Sequence, residues 1–394
     1  MNLFVYSGPS GEFTKYLKNI VPDETDDSEI IQFSTIGSEV SSRQHSLEVF
    51  DAANPPERSK VEKEWLVVSK DDYSTITTAG INMFVNLSEK YSFKNIVLHN
   101  PPRQLVEKIK SRYSITEPSY KYHSYGSVSK SDILCLKKEF DENILGQEQA
   151  IRKVLASLLM IPTNQSHGDR SPLVIMLYGA SGSGKTEMAK ILSKVIDGDG
   201  NLFRKQLSMH QNTYSANYLF GGEHSDESLA RDLIQRESNV ILFDEFDKLN
   251  QTLYSAFYQL FDEGVFEDSN YTVNTSRAII VCTSNFSSED EIKRSLGEPI
   301  FSRFDACIEF KPLDSDSMAK IAARLYDRHY SELDDDQKAI VKANEDDIKT
   351  FINNIATTVK NVRILEKYIR QRISSALLDD LLSQAQQDQQ SMDS

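Results

Sequence analysis

The chain has 394 residues, 26% of them charged and 39% hydrophobic, with a formal net charge of −15. That length allows two or three domains with separate cores, and the balance is that of a soluble globular protein. No run approaches the roughly 20 apolar residues of a membrane span. The N-terminal Met-Asn-Leu-Phe-Val-Tyr lacks the basic region and long apolar core of a secretory signal. Three scattered cysteines, Cys135, Cys282 and Cys307, argue against a disulfide framework or a zinc site and for a reducing, cytoplasmic setting.

In chain order, short β-like runs alternate with helical patterns up to about residue 125. Leu3–Tyr6, Ile30–Phe33, Trp65–Val68 and Ile96–Leu98 read as strands, and Phe13–Ile20 and Thr75–Leu87 as helices. After Asn100-Pro101 a helix is predicted with Leu105, Val106, Ile109 and Tyr113 on one face. Residues 1–125 therefore read as a small α/β domain. Ser7-Gly8-Pro9-Ser10-Gly11, between the first strand and helix, reads as a Gly/Pro turn rather than a second anion loop, since no Gly-Lys-Thr element follows. A Tyr/Ser/Lys-rich stretch, Ser111–Lys130, leads onward, and residues 126–142 read as a linker.

The next strand, Leu173–Tyr178, runs into Gly179-Ala180-Ser181-Gly182-Ser183-Gly184-Lys185-Thr186, a complete G-x-x-x-x-G-K-T phosphate loop. Met188, Ala189, Leu192 and Val195 follow at helical spacing, so the loop opens a helix whose N-terminal N–H groups and dipole favour an anion. Lys185 is positioned to reach the outer phosphates of a nucleotide, and Thr186 to hold a magnesium ion. Fifty-nine residues after Lys185, the apolar run Val240–Phe243 delivers Asp244 and Glu245 to a strand end. Asp244 suits the magnesium shell and Glu245 suits polarisation of an attacking water. A third apolar strand, Ala278–Cys282, ends in Thr283-Ser284-Asn285, where the Asn285 amide is a candidate γ-phosphate sensor. Cys282 reads as a core residue. The final polar, Gln-rich residues, 386–394, read as a frayed tail.

Six ordered stretches within residues 143–383 resemble the AAA+ ATPase module of the Clp-type protein unfoldases, most closely their second ATPase ring. Ile144-Leu145-Gly146-Gln147-Glu148-Gln149-Ala150-Ile151 resembles the motif that lines the adenine pocket, with Ile144 and Leu145 as the contacts. The phosphate loop and the Asp-Glu strand follow. Then come Phe257–Gly264, the segment Pro299–Asp305 with Phe310–Leu313, and Val362-Arg363-Ile364-Leu365. The resemblance implies a P-loop AAA+ three-layer α/β sandwich with a parallel sheet over residues 143–313 and a helical lid over 314–385. It implies ATP and magnesium as ligands, Arg303 as an arginine finger offered to a neighbouring subunit, and Arg363 as a lid arginine contacting phosphates in cis. A shared site in turn implies a homo-hexameric ring.

The chain also departs from that family. Its Gly-Tyr-Val-Gly substrate grip is replaced by Tyr218-Leu219-Phe220-Gly221-Gly222-Glu223-His224-Ser225-Asp226-Glu227, which leaves Tyr218, Phe220 and His224 either as a grip or as packing residues. No apolar-Gly-apolar tip separates Asn285 from Arg303, so a Clp-type peptidase is not an expected partner. Residues 1–130 hold 15 basic and 17 acidic side chains against 29 and 42 in the rest, and so acidic an ATPase half disfavours nucleic acid. The first reading is a ring ATPase that remodels a protein client. The second is an ATP-dependent assembly switch or scaffold, for instance in bacterial phage defence or stress signalling, with little threading.

Overall fold

The computed structural model describes residues 1–33, 61–75, 91–161, 171–198, 201–209, 214–223 and 226–392. They gather into two compact units, each discontinuous in sequence. The first comprises residues 1–127, 164–174 and 196–280; the second comprises 128–163, 175–195 and 281–394.

In the first unit, β1 (Asn2–Ser7), β2 (Ile30–Gln32), β3 (Val61–Val68), β4 (Tyr91–His99) and β5 (Ser119–Tyr122) form a parallel sheet in the order β2-β3-β4-β1-β5. Parallel sheets need cover on both faces, and alternation along the strands supplies it. Val5, Leu66 and Leu98 pack with Leu105, Val106 and Ile109 of the helix Arg103–Tyr113. Tyr6, Val67 and Val97 point the other way, to Phe13 of the helix Ser10–Ile20. The four strands and two of the helices expected here are present. The expected helix Thr75–Leu87 lies, beyond Thr75, outside the described residues. The stretch Ser111–Lys130 is more than a connection: it contributes β5, an exposed edge strand with no apolar alternation to announce it.

The turn after β1 is braced from β4. Asn100, at φ 49, accepts a hydrogen bond from the Gly8 N–H through Oδ1 and donates to the Gly8 carbonyl through Nδ2, both at 2.9 Å. His99 Nε2 donates to the same carbonyl at 2.9 Å. With both polar backbone groups of Gly8 engaged, Ser7–Gly11 is a structural turn.

The same unit joins this fold to later parts of the chain. The Tyr125 ring lies 4.1 Å from the buried Arg236 guanidinium and its hydroxyl donates to the Arg236 carbonyl. Asn239 Nδ2 donates to the Gly126 carbonyl, and the Arg103 N–H to the Asn270 carbonyl at 2.9 Å.

Seven further strands follow: β6 (Leu173–Gly179), β7 (Phe203–Gln206), β8 (Val240–Asp244), the hairpin β9 (Val265–Glu267) and β10 (Thr272–Asn274), β11 (Ile279–Ser284) and β12 (Ala306–Phe310). Five of them are hydrogen-bonded in the order β12-β6-β11-β8-β7. β12 runs parallel to β6, and β7 parallel to β8. The runs of β6, β8 and β11 are buried on both faces, as unbroken apolar strands in an α/β sheet must be.

Residues 126–142, which lie in the second unit from Val128 onward, are not an irregular linker. Ser129 and Asp132 make a reciprocal capping box that starts the helix Lys130–Asn143. The helices Ser315–Ser331, Asp335–Ala343, Glu345–Thr358 and Val362–Met392 share one core around Met318, Leu325, Val341, Ile348, Ile352, Leu365 and Ile369. The last helix continues through Met392, correcting the frayed tail expected over residues 386–394. Gln, frequent there, is a good helix former and needs no apolar stripe. No helix among the described residues is long and apolar enough to cross a membrane.

Burial lowers the His99 pKa to about 4. The unfolded chain takes up this proton near pH 6.5 and the folded chain does not until about pH 4, so stability falls as pH drops across that window. The expected loss is on the order of 2–3 kcal/mol. Fluorescence of Trp65, the sole tryptophan, followed during urea unfolding at pH 7 and 5, checks it. His99→Gln should lower stability at pH 7 and flatten the dependence.

Candidate active site

The phosphate loop turns in space that excludes side chains. Gly182 has φ 77, and a Cβ there would sit 2.7 Å from Asn361 Oδ1; at Gly179, φ 131, it would sit 2.2 Å from the Phe310 carbonyl oxygen. Ser183 Oγ donates to the Ala180 carbonyl at 2.8 Å, closing the turn. The loop enters the helix Lys185–Asp197, whose first N–H groups have no partner earlier in the helix and whose dipole favours an anion. Lys185 is buried, with Nζ donating to the Gly179 and Ala180 carbonyls at 2.6 and 2.9 Å. Its ammonium is thus held inside the loop. Thr186 is half-buried on the same turn, and Ala180 and Ser181 form an exposed rim.

Ile144 caps the helix Lys130–Asn143 and is buried; its Cδ1 lies 3.7 Å from the Cβ position of Gly184, whereas Leu145 is half-exposed. Two residues that sequence reasoning missed hold this region. The buried Gln147 amide donates to the Lys311 carbonyl at 2.8 Å and accepts from the Lys311 N–H at 3.1 Å. Asn361 donates to the Ser181 carbonyl at 3.2 Å and accepts the Arg363 N–H at 2.9 Å. The backbone of Arg363 is thereby tied to the loop, while its side chain is exposed.

At the end of β8, Asp244 is 5% exposed and its Oδ2 accepts two hydrogen bonds from Arg204 of β7, from Nη2 at 2.6 Å and Nε at 3.1 Å. Glu245 has left-handed backbone, φ 56 and ψ 45, which costs a non-glycine residue ~1–2 kcal/mol. The bend carries the chain into a 3₁₀ turn, Phe246–Lys248, anchored by Phe246 among Tyr254, Phe257 and Phe261. Gln206 Nε2 donates to Glu245 Oε2 at 3.1 Å. Alternate residues of β7, Arg204 and Gln206, therefore each hold one carboxylate. Neither was found from sequence, because Phe-Arg-Lys-Gln carries no strand-like apolar pattern.

Asn285 lies just past β11 with its side chain exposed. Next to it, Ser284 Oγ is buried without a hydrogen-bond partner among the described residues. Burial pushes the Cys282 thiol well above its usual range, as befits a core residue. Arg303 follows the short helix Glu298–Phe301, is half-exposed, and donates from Nη1 to the Pro299 carbonyl.

A family model for the AAA domain (Cdc48 subfamily) matches residues 170–352. This region is a Clp-type AAA+ ATPase module. The chain is similar to the chaperone ClpB of Mycoplasmoides gallisepticum, 26% identical over 272 residues, which cover 64% of this chain and 37% of the relative. It is also similar to ClpB of Prochlorococcus marinus, 26% identical over 284 residues, covering 64% and 33%. The match thus spans about a third of each relative. A closed-state cryo-EM reconstruction of Hsp104 with ATPγS and FITC-casein shares the fold, with TM-score 0.53 and 14% identity over 97% of this chain and 89% of that one.

In the AAA+ module, the segment that replaces the family's grip is partly packed away. The Tyr218 hydroxyl donates to Asp232 Oδ2 at 2.6 Å, and Lys205 pairs with the same oxygen at 2.6 Å. Burial and that carboxylate hold the phenol proton far above the ordinary range. Phe220, 42% exposed, starts the Gly221-Gly222 turn, and its carbonyl accepts from the Ser269 N–H. His224 lies outside the described residues.

Gly182→Ala forces a left-handed alanine against Asn361. It should weaken ADP binding, measured by calorimetry, by at least about tenfold, with a thermal midpoint only a few degrees lower.

Proposed function

We propose that the chain works as an ATP-hydrolysing ring, most simply a hexamer, that remodels a protein client selected by its N-terminal α/β fold. The observation that carries this reading is the phosphate loop. It is a turn with no room for a Cβ at Gly179 or Gly182 and with Lys185 buried inside it, opening a helix N-terminus within a module similar to ClpB.

ATP fits the loop because its backbone N–H groups and helix dipole complement phosphate. Among the described residues no cluster of three or more His, Cys, Asp or Glu side chains could hold a metal by itself. That composition suits magnesium, which takes one or two protein oxygens and completes its shell with phosphates and water. Thr186 and Asp244 would hold it, and when bound it neutralises charge on the phosphate oxygens. Ile144 and Leu145 line the adenine side. Residues 179–184 cradle the phosphates and Lys185 reaches the outer ones.

Glu245 polarises the attacking water and takes its proton, and Asn285 orients that water against the γ-phosphate. Arg303 neutralises developing charge in a neighbouring subunit's site, and Arg363 binds phosphate in cis from the lid. The orphaned Ser284 hydroxyl beside Asn285 supports a ligand at this strand end.

Glu245→Gln should retain ATP binding and lower turnover by about 10²–10⁴. Sedimentation with ATP then reads the assembly, and a protein that stays monomeric would sink the ring. Titrating Arg303→Ala subunits into wild type should lower ATPase activity faster than their mole fraction if the site is shared; a linear fall would remove the trans role.

The assembly-switch reading draws support from Tyr218, whose engagement with Asp232 removes one candidate grip. Phe220→Ala separates the two. Loss of client unfolding with ATPase activity intact supports remodelling, whereas unaltered client handling supports the switch.

A further inference from the structure

The Arg204–Asp244 pair occupies the carboxylate that the proposed function gives to magnesium. Both guanidinium donors converge on one oxygen, Asp244 Oδ2. The strand register sets Gln206 opposite Asp244 and Arg204 opposite Leu242, so Arg204 reaches the carboxylate diagonally along the sheet. The partners differ in access: the Asp244 side chain is 8% exposed and that of Arg204 is 42% exposed. A carboxylate so withdrawn from water needs a compensating cation, and here the cation has an open route to solvent.

We infer that Arg204 is a positioning residue that acts as a displaceable counter-ion, holding Asp244 until a divalent metal enters with nucleotide. The inference rests on Asp244 belonging to the metal shell. A guanidinium and a divalent ion repel each other at one carboxylate oxygen, so metal entry requires Arg204 to release Oδ2. Metal alone has to displace the pair unaided. Metal accompanied by phosphate brings the anionic charge that offsets the second cation. Arg204 thus biases the site toward metal–nucleotide over free metal, and keeps Asp244 in its rotamer between turnovers.

The test measures metal binding without turnover. Mn²⁺ is titrated into the full chain with and without ADP, free Mn²⁺ is read by electron paramagnetic resonance, and ADP affinity in EDTA reports that each variant is folded. Arg204→Gln removes the charge at similar length and should tighten Mn²⁺ binding roughly tenfold, in proportion to the charge-assisted hydrogen bonds it abolishes. The gain should be larger without ADP. Arg204→Lys keeps a charge but loses the two-pronged contact, and should fall between. Asp244→Asn should weaken Mn²⁺ binding in both conditions. Unchanged or weaker binding in Arg204→Gln, with Asp244→Asn impaired, overturns the counter-ion role and leaves the metal shell standing. If Arg204→Gln does not fold, Arg204→Lys decides by the same sign. An Asp244→Asn variant that binds Mn²⁺ like wild type removes Asp244 from the shell, and the inference falls with it.

Discussion

A backbone can wrap an anion only where no side chain fills the concavity, and residues 179–184 show what that demands of their surroundings. The carbonyl of Phe310 and the amide of Asn361 stand closer to Gly179 and Gly182 than any Cβ would allow. The loop is held from outside instead. Gln147 fixes the chain after β12 from the start of the helix Glu148–Leu159, and Asn361 fixes the loop from the start of the long C-terminal helix. These amides satisfy backbone groups that a tight turn leaves without secondary-structure partners. A change at Gln147 or Asn361 is therefore a change to the support of the turn and leaves its own residues in place.

The carboxylate pair has a different support. Asp244 and Glu245 sit where a buried strand ends, and a buried carboxylate is costly unless paired. Strand β7 answers with alternate side chains, Arg204 to one carboxylate and Gln206 to the next. The residue between them, Lys205, faces the other way, to Asp232 and Tyr218. A strand of four residues therefore contacts the acidic pair on one side and, on the other, the helix that ends at Phe220.

Much of this architecture could be read from the chain alone, for physical reasons. Strands β6, β8 and β11 are buried on both faces and so advertise themselves as unbroken apolar runs. The phosphate loop is a local motif with a single backbone solution. The edge strand β5 and the short β7 were not readable, because exposed or polar strands have no apolar alternation and exist only through their neighbours. The capping box at Ser129 was readable but masked by the polar composition around it. Gln147 and Asn361 lie within or beside stretches that carry the family resemblance, but they act on groups 164 and 180 residues away, and no local pattern specifies those partners. Tyr218 could be either grip or packing residue until Asp232 was seen beside it.

The N-terminal fold carries a consequence of its own. Tyr125 stacked on Arg236, Asn239 bonded to Gly126, and Arg103 bonded to Asn270 make it continuous with the segment that contains β7 and β8. A domain on a slack tether only raises the local concentration of what it captures, as two linked binding sites do. A domain built into the same unit instead shares its free energy. A ligand that favoured one conformation of the whole unit would shift those strands with it, and by reciprocity a change in those strands would alter the ligand's affinity by the same factor. In the proposed function, client recognition and nucleotide handling would then be two readings of one equilibrium.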